Sequence, residues 1–247
     1  MRQAIQYAID KQTLVDSLLS GNVKTSASVL PSGPFACPLP ASEFNPEKAN
    51  ALLDEAGWAV GDDGIRVRDD LRMSLKITST ADDSLREETE KILAEMLRKV
   101  GIELVIDNLP RDVFFSTWEL DGVRNKGRFD ILLYTPGANI DPDGHLFNNY
   151  HSLRIPHEDN NGLGSNFSRY TNADVDQWID EAASIADIDK RRELYCKAAG
   201  QINADLPRIF LYERLILSGY RETLQNFRFS PGHAGFTIDS QNWWLRK

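Results

Sequence analysis

Asp141 and Asp143 stand on either side of Pro142, and His145 follows two residues later. Two carboxylates and an imidazole so close together can exchange protons, hold a cation or receive a ligand's ammonium group. Asp-Pro-Asp-Gly is also a good turn formula, because proline sets φ and Asp and Gly suit turn positions. His145, His151 and His157 recur every six residues. That spacing matches no compact metal motif, and HExxH and paired-cysteine patterns are absent. Only convergence in space would make the histidines a metal site, and His157 is the candidate kept for it. Gly162-Leu163-Gly164-Ser165 follows no strand and opens no helix, so it does not read as a nucleotide loop. With no G-x-S-x-G elbow, a hydrolase triad has no anchor. Trp118, Tyr134, Phe147 and Tyr150 are aromatic residues that either line a pocket or fill a core.

What must position these residues is the stretch before them. Phe129-Asp130 leads into Ile131-Leu132-Leu133-Tyr134, a short apolar run that Pro136-Gly137 stops. Its length and its flanking turn formers predict a buried parallel strand. In open α/β sheets, ligands sit just beyond the carboxyl ends of the strands. The candidate ligand-binding residues are therefore Tyr134, Pro136, Gly137, Ala138, Asn139, Asp141, Asp143 and His145, with the polar residues from Ala138 to His145 expected in a loop.

The rest of the chain reads as scaffold. Apolar stripes predict two helices over residues 2–19, punctuated at Asp10 and ended by Gly21. Pro31, Pro34, Pro38 and Pro40 make residues 22–44 a long ordered loop. Asn45-Pro46-Glu47 starts a helix that Gly57 stops. Ile65–Arg68 and Met73–Thr80 read as a β-hairpin turned at Asp69-Asp70. Ser84 with Glu87 reads as a capping box for a helix ending at Gly101. A strand over Ile102–Ile106 follows, then a helix from Pro110 carrying Phe114, Phe115 and Trp118. Strand, helix, strand, helix, strand is the signature of a parallel sheet with right-handed crossovers. Beyond the loop, helices are predicted through Ala186 and over Ile188–Asn203, then a long strand over Arg208–Leu217 and an aromatic tail.

The chain has 247 residues, 37 acidic against 28 basic side chains, and a net charge of −9. A nucleic-acid partner needs the opposite balance. No apolar run approaches a membrane span, and no signal-peptide core follows Met1. Cys37, in the Pro-rich loop, and Cys196, on a helix with apolar neighbours, read as two unpaired thiols, with Cys196 packed. Nothing asks for a cofactor.

Four ordered blocks resemble the extracytoplasmic substrate-binding proteins of peptide/nickel-type ABC transporters. They are Arg2-Gln3-Ala4-Ile5-Gln6-Tyr7-Ala8-Ile9-Asp10-Lys11; Asn45-Pro46-Glu47-Lys48-Ala49 with Leu52-Leu53-Asp54-Glu55-Ala56-Gly57-Trp58; Phe129-Asp130 through Asp141-Pro142-Asp143; and Ser168-Arg169-Tyr170-Thr171-Asn172-Ala173-Asp174-Val175-Asp176 with Arg192-Glu193-Leu194-Tyr195 and Leu206-Pro207. The resemblance implies a periplasmic-binding-protein-like α/β lobe, its mixed, largely parallel sheet flanked by helices. It implies a binding protein rather than an enzyme, located outside the cytoplasm. Its partners would be a peptide or other small ligand and the subunits of an ABC permease. It further implies a fragment: residues 1–221 as the second lobe and residues 222–247 as a terminal segment that packs on a first lobe. That first lobe and the export signal would lie outside the sequence.

The candidate loop departs from the peptide-binding branch. There an aspartate four residues before the proline pairs with the ligand's α-amino group, and here that position is Ala138. Pro136 stands where the family commonly carries an aromatic residue. Without the carboxylate, a peptide ammonium loses a charge-assisted bond. Gly137-Ala138 before Asp141-Pro142 is more like the nickel-chelate branch, and Arg154-Ile155-Pro156-His157 is similar to that branch's downstream histidine segment. A metal-chelate ligand is therefore the alternative expectation.

Overall fold

Asp10 divides the first two helices, α1 (Arg2–Ala8) and α2 (Lys11–Leu19), as its carboxylate accepts from the backbone N–H groups of Gln12 and Thr13, both at 3.1 Å. The computed structural model describes residues 1–136, 141–213, 219–228 and 239–246. Ser20 (φ 50°) and Gly21 (φ 68°) then turn the chain out of α2 in the left-handed region. The Pro-rich segment up to residue 44 is irregular, as four prolines require. Helix α3 (Pro46–Glu55) starts on Asn45, whose side-chain oxygen accepts from Lys48 N–H at 2.9 Å.

Strands β1 (Ala59–Val60), β2 (Arg66–Arg68) and β3 (Leu71–Arg72) make a small antiparallel sheet, turned at Asp69 and Asp70 with φ of 50° and 63°. The hairpin expected to run on to Thr80 ends here. Met73 is the handover: its N–H donates back to Arg66 O at 2.8 Å, while its carbonyl accepts from Glu103 N–H at 3.0 Å. The chain then enters a different sheet as β4 (Ser74–Thr78). Helix α4 (Ser84–Arg98) is capped by Asp83 rather than by Ser84, because a carboxylate one residue earlier reaches the Arg86 N–H at 3.3 Å. Strand β5 (Glu103–Ile106) follows, then two short helices, α5 (Arg111–Phe114) and α6 (Val123–Lys126), and strand β6 (Ile131–Leu132).

The parallel arrangement expected from the strand–helix alternation is present. The order is β5-β4-β6, with Leu75 opposite Leu104 and Ile77 opposite both Ile106 and Ile131. The central strand is β4. β6 lies at an edge and is half-buried, not buried as expected, because it has a partner on one side only. One core lies under this sheet, joining Ala4, Ile5 and Ala8 of α1 to Leu53 of α3, Leu97 of α4, Trp58, Met73 and Ile77.

A second core is built by α7 (Asp143–Tyr150), α8 (Ala173–Ser184) and α9 (Ile188–Asp205). Leu146, Tyr150, Val175, Ile179, Tyr195, Ala198 and Ile202 fill it, and Val29, Leu30 and Cys37 of the Pro-rich loop close it. The two cysteines are not free thiols: Cys37 and Cys196 form a disulfide spanning 159 residues of sequence, with Cα atoms 5.3 Å apart. Cys196 does pack on this core, but so does the loop that carries Cys37. Only the tertiary fold could bring them together.

The long strand expected over Arg208–Leu217 does not form in its described part. Residues 208–213 run extended beside residues 24–26 with one bridge, Thr25 to Tyr212. Ser26 N–H donates to Leu211 O and Glu213 N–H to Lys24 O, both at 3.0 Å. The irregular loop opposite offers no second register. Residues 214–218 lie outside the described residues. The tail forms a two-stranded antiparallel pair, β7 (Leu224–Gln225) with β8 (Trp244–Leu245).

Candidate ligand-binding site

Beyond β6 the chain still follows β4 for a residue. Leu133 N–H donates to Thr78 O at 3.0 Å, and Ser79 Oγ donates to Leu133 O at 2.8 Å. Tyr134 is half-buried, and Thr135 and Pro136 are exposed. The chain therefore leaves the sheet at the carboxyl ends of β4 and β6, where an α/β fold places its ligands. Gly137, Ala138 and Asn139 lie outside the described residues.

Asp141 and Asp143 reappear at the start of α7. The polar loop expected to reach His145 is shorter: Asp143, Gly144 and His145 are the first turn of α7. Asp141 accepts the Asp143 N–H at 3.0 Å, and Asp143 adds an acidic group to that turn, where the helix dipole favours negative charge.

Both carboxylates have partners on α9. Arg191 Nη2 lies 3.0 Å from each oxygen of Asp141 and 3.0 Å from the Tyr195 hydroxyl, which in turn donates to Asp143 Oδ1 at 3.3 Å. The Arg191 guanidinium lies over the rings of Phe35 and Tyr195. Hydrogen bonding to Tyr195, followed by Asp141, holds Arg191 above its ordinary pKa. Burial raises the Tyr195 phenol, against the opposing pull of Arg191. The acidic pair thus clamps α7 to α9, which leaves Asp141 bound to a cation rather than poised to move protons.

His145 is half-buried, with its ring centroid 6.2 Å from that of Tyr150 and Nδ1 3.5 Å from Asn149 Nδ2. His151 is buried; its Nδ1 accepts from Leu153 N–H at 3.1 Å, and its Nε2 lies 3.4 Å from Asp180. His157 is exposed, 3.6 Å from Asp159. The three occupy separate surroundings, and among the described residues no group of His, Cys, Asp and Glu is placed to hold a metal. Of the aromatic residues singled out, Tyr150 is fully buried, Phe147 packs on His151, and Trp118 lies under Lys126.

On the other side of Tyr134 is a residue that the sequence reading placed in a strand and passed over. The Arg208 guanidinium lies 5.3 Å from the Tyr134 ring centroid and 4.8 Å from that of Tyr150. Its Nη2 donates to Asn149 Oδ1 at 3.1 Å and to Ser165 O at 3.3 Å. Burial opposes its charge, but Tyr150 and Tyr134 outweigh that and leave its pKa above the ordinary value. Burial pushes the Tyr150 phenol up to about 12 despite the nearby Arg208 charge. The overlooked signal was a charged residue leading the apolar run Ile209-Phe210-Leu211 straight after Pro207.

The family profile for bacterial extracellular solute-binding proteins, family 5 middle, matches residues 1–155. The chain belongs to that family. It is 25% identical to the oligopeptide-binding protein AppA of Bacillus subtilis over 254 aligned positions, covering 100% of this chain and 44% of that protein. Its fold superposes on an oligopeptide-binding protein from Thermus thermophilus crystallised with a pentapeptide, with a TM-score of 0.82 and 28% identity over 95% of this chain and 41% of that one. It also superposes on NikZ from Campylobacter jejuni in complex with Ni(L-His), with a TM-score of 0.79 and 25% identity over 98% of this chain and 48% of that one. The chain therefore spans under half the length of these relatives. The family's members are extracellular solute-binding proteins, and the α/β architecture is that of the periplasmic binding proteins.

Proposed function

We propose that this chain is one lobe of a two-lobe solute-binding protein that captures an oligopeptide or similar small ligand outside the cytoplasm and delivers it to an ABC permease. The observation carrying this reading is the exit of the chain from the carboxyl end of β6 into the segment running to α7, in a chain of this family. Tyr134, Pro136, Gly137, Ala138, Asn139, Asp141, Asp143 and His145 are the residues assigned to one jaw. Among them Asp141 and Asp143 act through Arg191 and Tyr195, holding the jaw's far end on α9. Affinity then arises when a second lobe closes over the jaw, and no bond in the ligand changes.

Residues 1–221 form this lobe, and residues 222–247 reach toward the partner lobe. Trp244, 53% exposed, and Leu245, 68% exposed, support that assignment, because large apolar side chains on a short strand pair call for a cover. The disulfide suits an oxidising compartment. The metal-chelate alternative keeps one observation in its favour, the fold shared with NikZ. The separation of His145, His151 and His157 leaves it without a ligand set in the described residues.

Native mass spectrometry of the polypeptide extended to the family's length tests the reading. A co-purifying small solute is the expected result, with weak or no binding by the present chain alone. Micromolar peptide binding by this chain alone would contradict the two-lobe account. A bound nickel chelate would select the alternative.

A further inference from the structure

Arg208, Tyr134 and Tyr150 form a cluster with donors to spare and no acceptor to receive them. The Tyr134 hydroxyl is buried and has no hydrogen-bond partner among the described residues, and the buried Tyr150 hydroxyl has only the Arg208 guanidinium beside it. Only Nη2 of Arg208 donates, to the neutral oxygens of Asn149 and Ser165. The described residues include every Asp and Glu of the chain, and none of these carboxylates forms an ion pair with Arg208.

Two other arginines here, Arg66 and Arg191, have carboxylate partners. Arg66, 2% exposed, is bound to Asp54, and Arg191 is bound to Asp141. A buried guanidinium without a counter-charge, beside the partnerless Tyr134 hydroxyl, carries a desolvation cost that an arriving acceptor would offset. The cluster's position indicates where that acceptor comes from. Tyr134 is the second residue past β6, Tyr150 ends α7, and the half-buried Arg208 lies over both rings. The cluster therefore borders the jaw where the chain leaves β6.

We propose that Arg208, bedded on the rings of Tyr134 and Tyr150, receives a carboxylate of the captured solute. A carboxylate is acceptor-only and planar, and it matches the guanidinium fork in two parallel bonds. This assignment rests on the solute-binding reading and specifies the chemistry of the solute. The other possible source of the carboxylate is a side chain in the longer polypeptide, and the experiment separates the two.

The chain is labelled with 15N-arginine and the Arg208 Nε–Hε signal is assigned through Arg208→Lys. Sodium acetate is titrated in at constant ionic strength, with acetamide as the uncharged control. The expected result is a saturable shift of the Arg208 signal with acetate and none with acetamide, reduced in Tyr134→Phe. The titration is repeated on the ligand-free polypeptide carrying both lobes, where the same response is expected. A signal that never moves overturns the proposal. So does one that, in the two-lobe protein, is already displaced and indifferent to acetate, because an internal carboxylate then occupies the site. For a solute recovered from the two-lobe protein, Arg208→Gln should weaken binding at least about tenfold, the loss expected for a charge-assisted hydrogen bond. Unchanged affinity would defeat the carboxylate assignment and leave the solute-binding reading standing. Recovery of no solute would defeat that reading, and the acetate titration would still decide whether Arg208 takes a carboxylate.

Discussion

Arg191 Nη2 lies 3.0 Å from both carboxylate oxygens of Asp141, so a residue on α9 holds the chain where it enters α7. The two partners differ in what else they do. Asp141 is 54% exposed, whereas Arg191 is 17% exposed and also donates to Ala182 O and Tyr195 Oη. Asp141→Asn should therefore cost under about 1 kcal/mol, as exposed ion pairs do. Arg191→Met should cost about 2–3 kcal/mol, because it leaves buried acceptors unmatched. Urea unfolding of both variants checks the order, and equal losses would show that the ion pair dominates.

The Cys37–Cys196 disulfide closes a loop of 159 residues and fastens the Pro-rich segment onto α9. Cross-links closing loops of this length typically add about 2–4 kcal/mol. The Cys37→Ser/Cys196→Ser double variant should lose stability in that range, and a reducing agent should lower the unfolding midpoint of the parent but not of the variant. A parent midpoint indifferent to reductant would mean that the bond is not formed in solution.

Arg66 is buried at the junction of three segments. Its guanidinium donates to Asn50 Oδ1 at 2.8 Å, to Val100 O at 2.9 Å through Nε, and to Asp54 and the Trp58 carbonyl. Asp54 is exposed and keeps water, but Arg66→Met strands the other acceptors and should cost about 2–4 kcal/mol, as buried acceptors left unmatched do. Thermal unfolding followed by circular dichroism measures it, and a loss below about 1 kcal/mol would show that water replaces the side chain easily.

Lys11, 7% exposed, donates to Ser26 O at 3.2 Å, and burial lowers its pKa from 10.5 to about 8. Between those values the unfolded chain holds a proton that the folded chain has released, so this group makes stability rise with pH across the window. The rise is at most about 3 kcal/mol, given about 1.4 kcal/mol per pH unit of separation. Lys11→Met removes the group. The difference in stability between parent and variant should therefore shift in the parent's favour from pH 8 to pH 10. A difference independent of pH would place the ammonium in contact with water.

The elements that were legible from sequence owe their form to neighbouring residues. Asp10, Asn45 and Asn172 cap helices where their types and positions indicated, and the apolar runs around Ile77, Leu104 and Ile131 pair in parallel. Errors arose where two signals lay one residue apart, as with Asp83 and Ser84, or where a local pattern had several possible partners, as with Met73. The segment after Pro207 looked like a strand because its residues favour extended backbone, but a strand needs a neighbour in register and found one bridge.

The candidate site divides the same way. Tyr134, Asp141, Asp143 and His145 could be nominated from a turn after an apolar run. Their bonds to Arg191 and Tyr195, some 50 residues later, and the meeting of Tyr134 with Arg208, could not.

By itself the sequence determined most of the long helices, the caps at Asp10, Asn45 and Asn172, the parallel β–α–β order and the family, because each rests on interactions within a few residues or on ordered motifs. Only the tertiary structure decided that the two cysteines meet, which carboxylates are already paired and that Arg208 lies against Tyr134 and Tyr150. Those outcomes depend on how separate elements pack, and long-range contact is a property of the fold that no local spacing encodes.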